Sequence, residues 1–271
     1  MNGENKMLNK IINGDCLEVM KTFDSEIIDL TVTSPPYDDL RKYKGYSFDF
    51  EGIAKELYRI TKVGGVVVWV VGDATKNFCE SLTSFKQAIF FVEECGFNLL
   101  DTMIYAKKNY APAYPSMRRY AQTFEYMYVF SKGKPKTFNP IQTENSQRFS
   151  QSESCGFRQK DGTIKRKKIK SLNNLKNECN VWSYAVGGAN TTKDKIAFGH
   201  PAIFPEQLAK DHIKSWSNEG DLILDPMAGS GTTLKMAKEL NRNYIGIEMS
   251  SEYCKISEER IKNHKIQGEM L

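Results

Sequence analysis

One uninterrupted apolar stretch limits the folds that are open to this chain. Residues 64–73, GGVVVWVVGD, contain five valines and a tryptophan. Such a run is typical of a strand that is covered on both faces, as in parallel sheets. Helical periodicity occurs on the two sides of it, from Phe50 to Tyr58 and from Phe85 to Cys95. This alternation predicts an α/β fold with a doubly wound, mostly parallel sheet.

The alternation continues along most of the chain. Further strands are predicted at 27–32, 97–108, 123–133, 221–225 and 244–248. Further helices are predicted from Pro205 to Trp216, at 232–240 and from 251 to about 264. Apolar periodicity fades in residues 134–197, which are rich in Asn, Ser, Gln, Lys and Arg. We therefore predict an insert, or a small appended domain, between residues 1–133 and 198–271.

Composition limits the possible partners and the location. The net charge of +5 over 271 residues indicates a polyanionic partner only weakly, but 157–170, FRQKDGTIKRKKIK, is a dense positive cluster. No apolar run approaches the roughly 20 residues that span a bilayer, and the first ten residues lack an apolar signal region. We expect a cytoplasmic location. Six scattered cysteines and three histidines predict reduced thiols and no metal site.

The segment Thr33–Tyr37, TSPPY, ends the predicted strand at 27–32. Proline lacks a backbone N–H and restricts the residue before it, so the strand stops here in a rigid turn. One interpretation is an ordinary loop. The other is a site with fixed carbonyl groups, a hydroxyl beside them and an aromatic ring above.

A second turn lies in ILDPMAGSGTTLKMA, residues 223–237, between a predicted strand and a predicted helix. It has neither the lysine of a phosphate-binding P-loop nor the G-x-G-x-x-G spacing of dinucleotide folds. Glu248 ends the next predicted strand, where an acid typically accepts hydrogen bonds from ribose hydroxyls. Turn and acid together favour a cofactor that contains adenosine, although an ordinary turn and a structural glutamate stay possible.

The two segments, with TSPPY first, resemble the beta group of amino (N4-cytosine or N6-adenine) DNA methyltransferases, which depend on S-adenosylmethionine. The resemblance covers nearly the whole chain, since NGDCLEVM (13–20), TFEYMYVFSKG (123–133) and GHPAIFPEQLAKDHI (199–213) also match. Related RNA and protein-glutamine methyltransferases carry a similar Pro-Pro-Tyr segment after the glycine turn. The order found here implies a permuted methyltransferase sheet, in which IINGD lies beside the last two strands.

The resemblance also implies roles for particular residues. The catalytic set would be Ser34, Pro35, Pro36 and Tyr37. The cofactor set would be Asp15, Cys16, Phe204, Asp225, Pro226, Ala228, Gly229, Ser230, Gly231, Thr232, Thr233, Glu248 and Met249. Within it, Asp15 would contact the adenine, Phe204 the methionine end and Glu248 the ribose. Glu125 would lie near the target base.

The chemistry explains why such a site needs Ser-Pro-Pro-Tyr. An exocyclic amino group is a poor nucleophile because its lone pair is delocalised into the ring. The Ser34 hydroxyl and the Pro35 carbonyl would accept its two N–H bonds and hold the lone pair towards the methyl group, and Tyr37 would stack on the flipped base. No cysteine follows a proline, which argues against cytosine-C5 methylation. In the family that the chain resembles, serine at position 34 goes mostly with N4-cytosine. N6-adenine, an amino group in RNA and a silent DNA-binding scaffold stay open.

Candidate contacts to double-stranded DNA are basic residues in two segments. They are Arg118, Arg119, Arg158, Lys165, Arg166, Lys167 and Lys168. With these assignments, 1–133 is the predicted catalytic half, 134–197 the target-recognition insert and 198–271 the cofactor-binding half. A partner restriction endonuclease is possible, a solitary enzyme equally so, and the chain could be a monomer or a homodimer.

Overall fold

A computed structural model of the chain describes residues 7–36, 48–110, 118–144, 154–168, 175–187 and 190–264. Within them, eight strands form the central sheet. In chain order they are β1 (Lys10–Asn13), β2 (Ile28–Thr33), β3 (Thr61–Val71), β6 (Asn98–Lys107), β7 (Phe124–Ser131), β12 (Val181–Tyr184), β13 (Leu222–Asp225) and β14 (Asn243–Glu248). Their order across the sheet is β1-β14-β13-β2-β3-β7-β6-β12. All neighbouring pairs are parallel except the two that involve β7.

Helices cover both faces of this sheet. They are α1 (Cys16–Lys21), α2 (Phe50–Ile60), α3 (Thr83–Glu93), α4 (Glu206–Trp216), α5 (Thr232–Glu239) and α6 (Ser251–Asn263). Buried residues of α1, α2 and α3 form one apolar core with one face of the sheet. Buried residues of α4, α5 and α6 form a second core with the opposite face. The predicted doubly wound, mostly parallel α/β sheet is confirmed.

The predicted permutation is also confirmed. β1, from the start of the chain, pairs with β14 from its end, and the register places Asn13 opposite Glu248. β13 pairs with β2, so the strand before the glycine turn lies beside the strand before TSPPY. Residues far apart in the sequence therefore meet at the carboxyl ends of these parallel strands.

Besides the short helix α1, three features of the larger unit were not predicted from the sequence. β12 lies within the range 134–197, yet it pairs in parallel with β6 at the edge of the main sheet. A short hairpin, β4 (Thr75–Lys76) with β5 (Cys79–Glu80), follows β3. A 3-10 helix spans Lys195–Gly199. All three are too short to carry a recognisable apolar period.

A second compact unit spans residues 140–179. It contains β8 (Gln142–Glu144) paired with β11 (Leu175–Asn177), and β9 (Ser154–Arg158) paired with β10 (Ile164–Lys168), both antiparallel. This unit is narrower than the predicted insert, because residues 134–139 and 180–197 belong to the larger unit.

Two further properties bear on the sequence expectations. Among the cysteines that the structure describes, Cys79 and Cys179 are exposed, Cys95 and Cys254 are buried, and all are free thiols. Every helix in the described part of the chain is too short or too polar to span a bilayer.

Candidate functional site

The site lies where parallel strands end. The carboxyl ends of β1, β14, β13 and β2 meet at one edge of the sheet. Ligands of open α/β sheets bind outside this edge. Predicted site residues lie at each of these ends: Gly14–Asp15 after β1, Glu248–Met249 at β14, Asp225 at β13 and Ser34 after β2. The structure thus brings together the sequence-predicted cofactor and catalytic segments.

The glycine turn connects β13 to α5 and has a strained backbone that glycine accommodates. Gly229 and Gly231 have φ angles of +50° and +76°, values that cost other residues free energy. A Cβ atom at Gly231 would lie 2.0 Å from Ser257 Oγ on α6, and one at Gly229 would lie 2.9 Å from His200 Nε2. Close packing of the turn against its own protein is therefore one reason for the glycines, besides access for a ligand.

Asp225 is buried at the end of β13. Its Oδ1 accepts hydrogen bonds from Thr33 Oγ1 at 2.8 Å and from the Met227 N–H at 3.2 Å. Burial raises the pKa of Asp225 to about 6, and hydrogen bonds from Thr33, Met227 and Thr233 partly oppose this effect. This carboxyl group joins the glycine turn to the TSPPY strand, because Thr33 is the last residue of β2.

Glu248 holds the same turn from the neighbouring strand. Its Oε2 accepts from the Gly229 N–H at 2.9 Å, and its Oε1 accepts from the Ser250 N–H at 2.8 Å. Burial raises its pKa, and these backbone hydrogen bonds act in the opposite direction. Each carboxylate oxygen can accept a second hydrogen bond, so Glu248 can hold the turn and accept from ligand hydroxyls at once.

The segment after β1 lies beside Glu248. The Gly14 N–H donates to the Glu248 carbonyl at 3.1 Å, and Asn13 Nδ2 donates to the carbonyls of Glu248 and Met249, each at 2.9 Å. Asp15 caps α1, since its Oδ1 accepts from the Glu18 N–H at 3.1 Å. Burial raises the pKa of Cys16 to about 12, which keeps this thiol protonated and unreactive at neutral pH.

The TSPPY segment is fixed next to the glycine turn at its first residues. Thr33 is bonded to Asp225, and Thr233 Oγ1 donates to the Val32 carbonyl at 3.1 Å. Pro35 is buried, whereas Ser34 and Pro36 are partly buried. Tyr37, the fourth member of the predicted catalytic set, lies outside the described residues.

Other predicted cofactor residues lie around this turn. Phe204 is partly buried and packs against the core under α4. The remaining turn residues are buried: Pro226, Ala228, Ser230, Thr232 and Thr233. His200, which precedes Phe204, packs edge-on against Tyr253 with ring centroids 4.5 Å apart.

The predicted DNA contacts fall in different surroundings. Arg118 is exposed, with a φ of +51°. Arg119 donates to Glu80 Oε1 at 3.0 Å and to Gln122 Oε1 at 3.1 Å, and it also bonds Thr75, so it ties its segment to the β4–β5 hairpin. Its guanidinium group already has protein partners.

The basic residues of the second unit lie on the β9–β10 ribbon. Arg158, Lys165 and Arg166 are exposed. Lys167 and Lys168 occupy the last positions of β10, and their side chains are not among those that the structure describes. Residues 140–179 contain nine Lys or Arg and four Asp or Glu, a net charge of +5 that equals the charge of the whole chain.

Sequence reasoning expected Glu125 near the target base, but it missed the partner of that residue, Lys107, and it missed Arg260. Lys107 and Glu125 form an ion pair at 2.6 Å, at the ends of β6 and β7 that share the site's edge of the sheet. Arg260, on α6, is fully buried and bonded to Ser230 and Thr232 of the glycine turn. An arginine in an amphipathic helix normally indicates an exposed face, so no sequence signal marks this position.

Comparisons with known proteins agree with the fold. The family of DNA methylases that transfer methyl groups to N6 or N4 matches residues 28–259. Orphan methyltransferase M.BamHII of Bacillus amyloliquefaciens is 54% identical over 242 residues, which cover 88% of this chain and 90% of the relative. Type II methyltransferase M.HinfI of Haemophilus influenzae is 30% identical over 286 residues, which cover 96% and 70%.

Two solved structures share the fold. PvuII DNA methyltransferase (cytosine-N4-specific) superposes with a TM-score of 0.69 at 22% identity, over 94% of this chain and 87% of the other. The M1.HpyAVI–SAM complex has a TM-score of 0.61 at 24% identity, over 93% and 98%. The family match spans most of the chain and includes both turns. This chain belongs to the N6/N4 DNA methylase family, whose cofactor is S-adenosylmethionine, and it is a DNA methyltransferase of the N4/N6 group.

Proposed function

We propose that this protein transfers a methyl group from S-adenosylmethionine to the exocyclic N4 of a cytosine that has been flipped out of duplex DNA. The observation that carries the proposal is the bonded pair of turns: Thr33, directly before Ser34, is joined to Asp225, directly before the glycine turn. The proposed acceptors for the amino group, Ser34 and Pro35, and the proposed cofactor turn therefore lie at the same carboxyl end of the parallel strands, where this hydrogen bond holds them together.

The residues around the glycine turn fit the methyl donor. Glu248 retains acceptor capacity for ribose hydroxyls, and the first N–H groups of α5 have no partner within their own helix. Phe204, which packs against the core that includes Ala228, would provide an apolar wall for the donor. Asp15 would contact the adenine with the carboxylate oxygen that does not cap α1. When bound, S-adenosylmethionine supplies an electrophilic methyl group on a sulfonium.

The protein's contribution to the transfer is positioning. The Ser34 hydroxyl and the Pro35 carbonyl would accept hydrogen bonds from the two N–H groups of the target amino group. Its lone pair would then point towards the methyl group of the donor. Because Pro35 is buried and its ring fixes the backbone, its carbonyl needs no reorganisation when the base arrives. Tyr37 would stack on the base. No covalent bond to the enzyme is required, and no cysteine follows a proline, as cytosine-C5 methylation would need.

Serine at position 34 supports cytosine as the target base. The solved PvuII enzyme, which has this fold, is described as cytosine-N4-specific. An N6-adenine activity on the same scaffold is the second candidate, because either base offers an amino group to the same two acceptors. A silent scaffold is the third. It is disfavoured because the Thr33–Asp225 and Glu248–Gly229 bonds keep both turns ordered.

The second compact unit is proposed to bind DNA. Its net charge of +5 and the exposed Arg158, Lys165 and Arg166 support salt-dependent contacts to phosphates. A two-stranded ribbon such as β9–β10 also has a size that fits the major groove. Neutralising Arg166, Lys167 and Lys168 together is expected to weaken DNA binding and to leave cofactor affinity unchanged.

A cytoplasmic location and a solitary mode of action complete the proposal. The relative M.BamHII is named an orphan methyltransferase, which favours an enzyme without a partner restriction endonuclease. Whether the protein is a monomer or a homodimer is best measured by light scattering.

The test is an analysis of modified nucleosides. The protein is incubated with mixed-sequence duplex DNA and methyl-labelled S-adenosylmethionine, and the digest is examined by mass spectrometry. Labelled N4-methylcytidine is the expected product. N6-methyladenosine alone would overturn the base assignment and keep the reaction class. No label, together with no cofactor binding by calorimetry, would favour the silent scaffold.

A further inference from the structure

A buried group of four charges lies against the glycine turn. The side chain of Arg260 is 0% exposed and that of Lys235 is 7% exposed. Both cations contact the same two carboxylates, Asp194 and Glu206. Charged side chains are almost never buried to this degree unless they are paired, so the arrangement requires an explanation.

Arg260 divides its hydrogen bonds between the acids and the turn. Its Nε donates to Asp194 Oδ2 at 2.8 Å, and its Nη2 donates to Glu206 Oε1 at 2.5 Å. Its Nη1 donates to the Ser230 carbonyl at 3.0 Å, to Ser230 Oγ at 3.2 Å and to Thr232 Oγ1 at 3.0 Å. The guanidinium group therefore bonds the residues on both sides of Gly231.

Gly231 itself is pressed against the same helix. The missing Cβ at this position would lie 2.0 Å from Ser257 Oγ, one helical turn before Arg260 on α6. The Glu248 carboxylate bonds Gly229 from the sheet side. The turn is thus fixed by Glu248 near its start and by Arg260 across its end.

The acids anchor Arg260 to the rest of the fold. Lys235 Nζ, on α5, lies 2.7 Å from Asp194 Oδ2 and 2.8 Å from Glu206 Oε1. Glu206 begins α4, and Thr192 Oγ1 donates to it at 2.6 Å. Burial raises the pKa of both acids, but the hydrogen bonds from Lys235 and Arg260 outweigh it, so both pKa values are lowered and the acids stay charged.

We propose that Arg260 is a positioning residue for the methyl donor: it holds Ser230 and Thr232 in the conformation that binds S-adenosylmethionine, without touching the donor itself. This inference rests on the proposed function, in which the glycine turn is the donor site. It adds a residue from the last helix, outside the segments that the sequence analysis had assigned to the cofactor.

The variant Arg260→Lys tests this role. Lysine keeps the positive charge between Asp194 and Glu206 but lacks the planar fork that reaches the turn. Arg242→Lys is the matched control, because Arg242 is partly buried and, like Arg260, donates to backbone carbonyls, here those of Ser217 and Leu240, away from the turn. Calorimetry gives the affinity for S-adenosylmethionine, and steady-state kinetics on duplex DNA give KM for the donor and kcat.

We expect R260K to bind S-adenosylmethionine about ten- to a hundredfold more weakly than the wild type, because binding must then order Ser230 and Thr232 without the charge-assisted hydrogen bonds from Arg260. KM for the donor should rise with it, while kcat at saturating donor and the affinity for DNA stay near the wild-type values. R242K should retain donor affinity. A loss of thermal stability that is equal in the two variants, with the affinity loss confined to R260K, would separate positioning from a general structural role.

A folded R260K that binds the donor as tightly as the wild type would overturn the role of Arg260. If R260K does not fold, Asp194→Asn with Arg260→Met replaces it, since this pair removes one charge of each sign and leaves Lys235 with Glu206. The same loss of donor affinity is then expected, and wild-type affinity would overturn the proposal. A wild-type protein that does not bind S-adenosylmethionine would instead overturn the proposed function itself.

Discussion

The larger unit and the unit at residues 140–179 are stabilised in different ways. The larger unit has an apolar core on each face of its sheet, and outside residues 140–179 the numbers of Lys plus Arg and of Asp plus Glu are equal. In the smaller unit, none of the described side chains is buried, and the strands pair only in twos. Two-stranded pairs without a core are marginal on their own.

The difference matches the two tasks that we propose for the two units of this chain. The reaction requires atoms held within tenths of an ångström, and buried apolar packing provides this rigidity. Contact with a phosphate backbone requires positive charge at the surface, which needs little packing. The comparison therefore predicts that backbone changes will be costly in the larger unit and that charge changes will matter most in the smaller one.

The largest expected effect concerns two glycines with similar backbones. Gly231 in the larger unit and Gly162 in the smaller one have φ angles of +76° and +85°. A Cβ at Gly231 meets Ser257 at 2.0 Å, whereas a Cβ at Gly162 meets nothing within 4 Å. We expect Gly231→Ala to lower the free energy of unfolding by about 2–5 kcal/mol, from backbone strain plus overpacking. Gly162→Ala should cost only about 1 kcal/mol, from strain alone.

Urea denaturation followed by circular dichroism measures both values. Equal losses for the two variants would mean that packing against α6 does not restrict the glycine turn. That outcome would remove the main physical distinction between the two units.

The second effect is a pH dependence that arises in the larger unit. Burial raises the pKa of Asp225 from 3.8 to about 6. Between these values the folded state binds more protons than the unfolded state, so this group makes the protein less stable as the pH rises from about 4 to 6. The contribution is at most about 3 kcal/mol, from about 1.4 kcal/mol for each pKa unit.

Asp225→Asn removes this titration and keeps an oxygen that can accept from Thr33. The stability of the variant relative to the wild type should therefore rise between pH 4 and pH 6 and stay constant above pH 7. Denaturation at a series of pH values checks this, with Asp161→Asn in the smaller unit as the comparison. Hydrogen bonds from Thr163 lower the pKa of Asp161, so the stability of that variant relative to the wild type should not rise over this range. A stability difference that does not change with pH would contradict the raised pKa.

The larger unit was also the part that sequence reasoning could predict. Strands such as β3 and helices such as α2 follow from apolar periods, because both are long and each buries a defined face. The neighbourhood of Asp15, Ser34, Asp225 and Glu248 followed from motif order and from the rule for parallel strands. The roles of these residues in binding and catalysis stay predictions.

What could not be predicted depends on contacts between distant residues. Thr33 is hydrogen-bonded to Asp225, 192 positions away. The buried Arg260 is hydrogen-bonded to two acids that lie 54 and 66 positions away. No local pattern in the sequence predicts either contact. β12 is four residues long, and its place at the edge of the sheet is set by pairing with β6. In the smaller unit, charge is the main signal, and charge does not determine a fold.

The third effect concerns the charges of the ribbon. In the β9–β10 register Arg158 pairs with Ile164, so Arg158 and Arg166 share one face, while Lys165 pairs with Phe157 on the other. We expect R158Q/R166Q to weaken duplex binding about tenfold and to reduce the slope of log K against log salt by about 2. The change in K165Q should be at most half as large, because it removes one charge.

Fluorescence anisotropy at several salt concentrations measures these slopes. The control is K10Q/K214Q in the larger unit, because both lysines are exposed. Lys10 is the first residue of β1, whereas the site lies at the carboxyl ends of the strands. An equal loss of DNA affinity in R158Q/R166Q and in K10Q/K214Q would show that the affinity depends only on the total charge of the protein. The smaller unit would then lose its proposed role as the DNA contact.

The smallest effect compares two short hairpins among the described residues, β4–β5 and β9–β10. The turn of β9–β10 uses Gly162 at its positive φ, whereas the turn of β4–β5 uses Asn77 and Phe78, with φ angles of +51° and +67°. Two-residue turns of this kind favour glycine at the second position. The Phe78 side chain is 69% exposed, so little packing compensates for its backbone strain.

Phe78→Gly is therefore expected to raise the free energy of unfolding by about 0.5 kcal/mol, the relief of left-handed strain minus the added freedom of the unfolded chain. Phe78→Ala is the control, since it removes the ring and keeps the strain, and its stability should stay within about 0.5 kcal/mol of the wild type. Precise chemical denaturation resolves the difference between the two variants. A destabilised F78G with an unchanged F78A would mean that the β4–β5 turn depends on a side chain at this position to limit the unfolded state.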